Sequence, residues 1–67
     1  MEIIKEWYGK SGLLARLYKI PEGIFLDYKN CKQTSKVYVI GGIVQMQMSD
    51  VPKKYEREIS EILRRRR

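Results

Sequence analysis

Apolar and polar residues alternate with period two over most of this chain, and near its end they recur every three or four residues instead. Residues 3–8, Ile-Ile-Lys-Glu-Trp-Tyr, are β-branched and aromatic enough to predict a strand, which Gly9-Lys10-Ser11-Gly12 turns back. Residues 13–20 predict a second strand, closed by Pro21-Glu22-Gly23, and residues 24–28 predict a third. The polar segment 29–35 reads as the longest loop, with Lys29 and Lys32 near its tip. Two further runs, 36–40 and 43–48, flank Gly41-Gly42, the kind of pair that a two-residue primed hairpin turn requires. That turn sets the register: Ile40 opposite Ile43, Val39 opposite Val44, Tyr38 opposite Gln45, Val37 opposite Met46 and Lys36 opposite Gln47. Val37, Val39, Val44, Met46 and Met48 then share one face and are expected in the core, while Lys36, Tyr38, Gln45 and Gln47 share the other. Carried onto the third strand, the same alternation turns Ile24, Leu26 and Tyr28 inward and leaves Phe25 and Asp27 outward beside Tyr38.

At residue 49 the rhythm changes. Ser49-Asp50-Val51-Pro52 predicts a helix start, because a Ser or Asp oxygen caps free amides and Pro in a first turn needs no amide partner. Val51, Tyr55, Ile59, Ile62 and Leu63 follow as one apolar stripe, which has to dock on the sheet. The expected organisation is a single domain: an antiparallel sheet or barrel over 1–48, an amphipathic helix over 49–63 and an arginine tail over 64–67. This mostly β fold with one C-terminal α-helix, in the order β-hairpin, three-stranded meander and helix, resembles a small SH3-like barrel or a partly open five-stranded antiparallel barrel. A flatter sheet with the helix across one face satisfies the same pattern. At 67 residues the core is thin in either case.

Composition narrows the chemistry. The chain has no histidine, which removes the commonest general base and the commonest metal ligand, and its one cysteine, Cys31, allows neither an internal disulfide nor a Cys/His metal cluster. A lone thiol fits a reducing compartment, so a cytoplasmic location is expected. The eight carboxylates are scattered and no pair stands out, so the expectation is a protein that is not an enzyme and uses no cofactor. No apolar run long enough for a membrane span and no signal-peptide pattern is present, and no membrane partner is expected. The abundance of Ile, Lys, Arg and Glu leans toward a thermophile.

The net charge of +6 is unevenly placed. Residues 1–50 hold seven basic and five acidic side chains, residues 51–63 hold three of each, and Arg64, Arg65, Arg66 and Arg67 supply the remaining +4. An arginine run complements the partial negative charge of a helix C-terminus, and it equally suits phosphate binding.

The helix start Asp50-Val51-Pro52-Lys53 and the order of elements resemble the small seven-kilodalton chromatin proteins of thermophilic archaea, which bind DNA. That resemblance implies an SH3-like barrel with a C-terminal helix and a nucleic-acid site on the outer face of the sheet. In that family a Trp lies on the binding face and the short turn of the meander precedes the long one. Here Trp7 is in the first strand, the long turn comes first, and Asp27 is expected on the outer face.

The register places Phe25, Lys36, Tyr38, Gln45 and Gln47 together on that outer face, an arrangement of aromatic, basic and amide groups suited to stacking or groove contacts. With Lys29, Lys32, Arg64, Arg65, Arg66 and Arg67 as phosphate contacts, these residues form the expected nucleic-acid-binding set, for DNA more than RNA and with low sequence specificity. Exposed aromatic side chains equally mark a protein-binding face, and a protein-interaction module or a homodimer is the alternative. Other motifs reduce to ordinary structure. Gly9-Lys10-Ser11 ends like a phosphate loop, but Ile4 stands where that motif needs Gly, so a hairpin turn is expected. Lys29 and Lys32 beside Cys31 favour a thiolate, yet with no histidine the expectation is an incidental surface thiol.

Overall fold

The computed structural model describes residues 1–66, and Arg67, the last of the expected phosphate contacts, lies outside the described residues. Five strands, β1 (Glu2–Gly9), β2 (Gly12–Ile20), β3 (Gly23–Tyr28), β4 (Gln33–Ile40) and β5 (Ile43–Met46), precede one helix, α1 (Lys53–Arg65). Each strand pairs antiparallel with the next, in the spatial order β1-β2-β3-β4-β5. β1 and β5 remain separate edges, so the sheet is a partly open barrel with α1 on its inner face.

The β4–β5 register is the one that the glycine pair implies: Val37 with Met46, Tyr38 with Gln45, Val39 with Val44 and Ile40 with Ile43. Gly41 and Gly42 take φ of 60° and 80°, as a type I′ turn demands. β1 departs from simple alternation. A register shift between Ile3 and Lys5 lets Ile4 and Trp7, three residues apart, both pack against the core, and a second shift follows between Trp7 and Tyr8. A regular strand would send them to opposite faces.

The core lies between the inner sheet face and the helix stripe. Ala15, Leu17, Leu26, Tyr28, Val37 and Val44 from the sheet meet Val51, Tyr55 and Ile59, with Ile62 and Leu63 packed at the margin. Trp7 closes one side, its ring edge-on to Tyr55 at 5.1 Å and its indole N–H donating to Glu58 at 3.2 Å. Buried Ser35 interrupts the apolar face, but its hydroxyl donates to the Lys36 carbonyl and accepts the Met48 amide at 3.0 Å.

That last bond explains one departure from expectation. The chain leaves β5 after Met46, and Met48, expected in the core, is 41% exposed. Val39, also expected inside, is 52% exposed, because it lies at the hairpin end, where it borders a cavity instead of the helix stripe. The β3–β4 connection is shorter than the expected loop: Gln33, Thr34 and Ser35 pair with Tyr28, Asp27 and Leu26, and only residues 29–32 are irregular. Lys29, Asn30 and Cys31 all have positive φ, 55°, 57° and 63°, and the Lys32 amide closes the turn on the Tyr28 and Lys29 carbonyls at 3.1 Å. Left-handed backbone costs roughly 1–2 kcal/mol per non-glycine residue, so tertiary bonds have to hold this turn.

One such bond comes from Asp50. Its carboxylate does not cap α1, which begins at Lys53 behind Pro52 with no side-chain cap. It accepts the Tyr28 hydroxyl at 2.5 Å and the Lys29 ammonium at 2.6 Å. Tyr28 is fully buried, and its hydroxyl needs an acceptor more than solvent-facing helix amides do. At the other end, Arg64 and Arg65 belong to the last turn of the helix and do not follow it, opposite the sense of the dipole they offset.

Candidate nucleic-acid interface

Because α1 takes the inner face, the outer face of the sheet carries the side chains of alternate residues in three rows. The first row crosses from β1 to β4 as Glu6, Arg16, Asp27 and Thr34. Arg16 pairs with Glu6, whereas among the described residues Asp27 is met by neutral hydroxyls alone. Glu6 accepts the Tyr8 hydroxyl at 2.6 Å and the Arg16 Nε at 2.9 Å, and these two bonds, Tyr8 first, hold its carboxyl below the usual range. The same bond to Glu6 pushes the Tyr8 phenol up. Asp27, the acid expected on this face, accepts Thr34 Oγ1 at 2.8 Å and the Tyr18 hydroxyl at 3.2 Å.

The second row is Ile3, Tyr18, Phe25 and Lys36 on successive strands. The Tyr18 and Phe25 rings stack, with centroids 5.9 Å apart and planes 21° from parallel. Burial, followed by the charge of Asp27, pushes the Tyr18 phenol up. Tyr38 and Gln45 pair in the third row. Between the rows Lys36 holds its ammonium 5.8 Å from the Phe25 ring centre and 5.4 Å from that of Tyr38, within the range of cation–π attraction. Gly23 makes room for this: a Cβ there would approach the Lys36 Cε to 3.0 Å. Gln47 extends the pairing past β5, its amide donating to the Lys36 carbonyl at 2.9 Å and its side-chain oxygen accepting the Lys36 amide at 3.3 Å.

Phe25, Lys36, Tyr38, Gln45 and Gln47 are therefore neighbours, as the register implies. The other expected residues are elsewhere. Lys29 is bonded to Asp50 and lies 5.9 Å from the Tyr28 ring, and Lys32 is exposed in the β3–β4 turn. Arg64 and Arg66 border a cavity on the helix side of the sheet, and Arg66 donates to Glu2 at 2.5 Å. Arg65 is exposed on the last turn of α1. The β3–β4 turn and the arginines stand at opposite ends of β3, a strand roughly 17 Å long, so they are two separate groups of cations.

Tyr18 and Arg16 were not among the residues expected here. Their signal is the Pro21-Glu22 turn, which pairs Ile20 with Gly23 and hence Tyr18 with Phe25 and Arg16 with Asp27. The lysines beside Cys31 do not activate it. It is half-buried, Lys29 is committed to Asp50, and burial together with the Asp27 charge pushes the thiol up, away from the thiolate. Among the described residues no cluster of three or more His, Cys, Asp or Glu side chains is placed to hold a metal ion, and no helix is long and apolar enough to cross a membrane.

No protein-family model matches this chain, and no curated protein or solved structure is significantly similar to it.

Proposed function

We propose that this protein is a non-enzymatic nucleic-acid-binding protein that contacts mainly the phosphate backbone, with little reading of base sequence. The observation that carries this reading is the grouping of Tyr18, Phe25, Lys36 and Tyr38 on the sheet face that α1 leaves open. Aromatic faces accept bases or sugars without regard to sequence, and a lysine held between two rings is positioned for an adjacent phosphate. The Asp27 carboxylate on this face is engaged by the Tyr18 and Thr34 hydroxyls and keeps its charge, so a bound phosphate lies toward Lys36 and away from it. Lys32 at one end of β3 and the arginines at the other extend the electrostatic footprint along a bound polymer. DNA is the form that the resemblance favours.

A protein partner is the second reading, favoured by the β4–β5 hairpin, where Val39, Ile40 and Ile43 are 52%, 59% and 64% exposed beside an edge strand. One titration separates the two. Fluorescence anisotropy of labelled duplex and single-stranded oligonucleotides is followed with the intact chain and with a chain ending at Leu63, at two salt concentrations. Binding that weakens with salt, and whose salt slope becomes shallower without the arginines, supports nucleic acid. Absence of binding at low salt rejects it and moves the search to protein partners or a second copy of the chain.

A further inference from the structure

The open end of the barrel holds a cavity that the outer-face reading does not use. It has a volume of about 440 Å³ and lies between β1, the β4–β5 hairpin and the second half of α1. This is within the range of about 300–1,000 Å³ typical of small-molecule sites. Its walls are of two kinds. Ile4, Ile24, Val39, Val44 and Leu63 make an apolar floor, and Lys19, Ser60, Arg64 and Arg66 stand around it. Glu2 bonds Arg66 and also stands opposite Lys19 in the β1–β2 register, while among the described residues no carboxylate lies within salt-bridge distance of Lys19 or Arg64. The site therefore offers an apolar body a nonpolar surface and offers an anionic head two cations that make no direct ion pair, and a hydroxyl.

We infer that this cavity binds a small amphipathic anion, of the class of a medium-chain carboxylate, with its chain on the Ile4, Ile24, Val44 and Leu63 floor and its head between Lys19 and Arg64. The fold explains why the space exists. β1 and β5 do not pair, so the helix has to plug the barrel alone, and its stripe ends at Leu63 before the hairpin end of the sheet is covered. A neutral ligand would gain nothing from Lys19 and Arg64, which are exposed, and a cationic one would be repelled by them. The floor of the site is on the opposite side of the sheet from Tyr18, Phe25 and Tyr38; Arg64 and Arg66 serve both readings, so Lys19, which lines the cavity and is outside the nucleic-acid set, is the residue that separates them.

The experiment is an amide-resolved NMR titration of the intact chain with octanoate, compared with 1-octanol and octylammonium. Octanoate is expected to move the amides of Ile4, Ile24, Val39, Val44 and Leu63 and to leave the aromatic ring resonances of Tyr18, Phe25 and Tyr38 on the outer face unchanged. 1-Octanol should bind more weakly, and octylammonium should not bind. Lys19→Gln and Arg64→Gln are each expected to weaken octanoate by about two- to fivefold, as befits partly exposed charge pairs. Val39→Trp, at an exposed position that the fold tolerates, should block the site while the spectrum stays that of the folded chain. Shifts on the outer face, equal binding of octylammonium, or no saturable shift with octanoate would each overturn the assignment.

Discussion

Replacing Tyr38 with alanine tests the outer face with little risk to the fold. Tyr38 is 39% exposed and no helix covers it, so its loss removes a cross-strand pair with Gln45 and the contact with Lys36. Those are worth about 0.2–1 and 0.5–1 kcal/mol respectively, so Tyr38→Ala remains folded. The effect on binding is larger. A base stacked on an aromatic side chain contributes about 1–3 kcal/mol, so the affinity is expected to fall by about fivefold to 150-fold. The dependence on salt separates this from a lost charge. Stacking releases no counterion, so a plot of log K against log salt for Tyr38→Ala should run parallel to that of the parent. Lys36→Gln should reduce the slope by about 0.9 for duplex DNA if one phosphate contact is lost. Tyr38→Phe keeps the ring and should bind as the parent does. Because Lys36 lies over the ring, the double variant should lose less than the sum of the two. An anisotropy isotherm for Tyr38→Ala that superimposes on the parent's would refute the stacking role, and an unchanged slope for Lys36→Gln would refute the phosphate contact.

Four further outcomes rest on the packing and the backbone. Ile59 is fully buried under the sheet, so Ile59→Ala should cost about 2–5 kcal/mol, and in a domain this small thermal unfolding should move by about 4–8 °C per kcal/mol. A loss below about 1 kcal/mol would mean that the helix is not docked as described. Tyr28 is pushed up from 10.0 to about 12 by burial and then by its bond to Asp50. Between those values the folded state holds a proton that the unfolded state has lost, so stability falls as pH rises through this window, and urea unfolding of Tyr28→Phe should lack that alkaline loss. Asp50 behaves oppositely. The bonds from Lys29 and Tyr28 lower its carboxyl, so its contribution is present above the ordinary carboxylate range and fades as the solution is acidified through the folded value. Gly42→Ala meets no atom within 4 Å but forces alanine to φ of 80°, and its urea midpoint should report a loss of roughly 1–2 kcal/mol from backbone strain alone.

Much of the outer face was legible because a two-residue turn carries its register with it. Gly41-Gly42 placed Tyr38 opposite Gln45, whereas Pro21-Glu22-Gly23 reads only as a strand break, so the pairing of Tyr18 with Phe25 came with the structure. The meeting of Phe25 with Lys36 was legible only as a shared face. Its register depends on the left-handed turn at Lys29, Asn30 and Cys31, a run of three of which only Asn30 is of a type that favours that conformation. The arginines show the reverse problem. Their charge was plain, but their position was not, since it follows from where α1 ends relative to the sheet.

Alternation, glycine placement and the helical stripe are local properties, and by themselves they determined five antiparallel strands, one helix and the faces on which Leu26, Val37 and Ile59 are buried and Phe25 and Tyr38 are not. Tertiary structure decided what depends on competition between distant groups. Asp50 had a local role open to it as a helix cap, but Tyr28, 22 residues away in the chain, has a buried hydroxyl that takes the carboxylate. Val39 had the period of a core residue, but the helix stripe stops short of it and leaves a cavity. Pattern records which side of a strand is apolar; only the three-dimensional meeting of sheet and helix settles how far that side is covered.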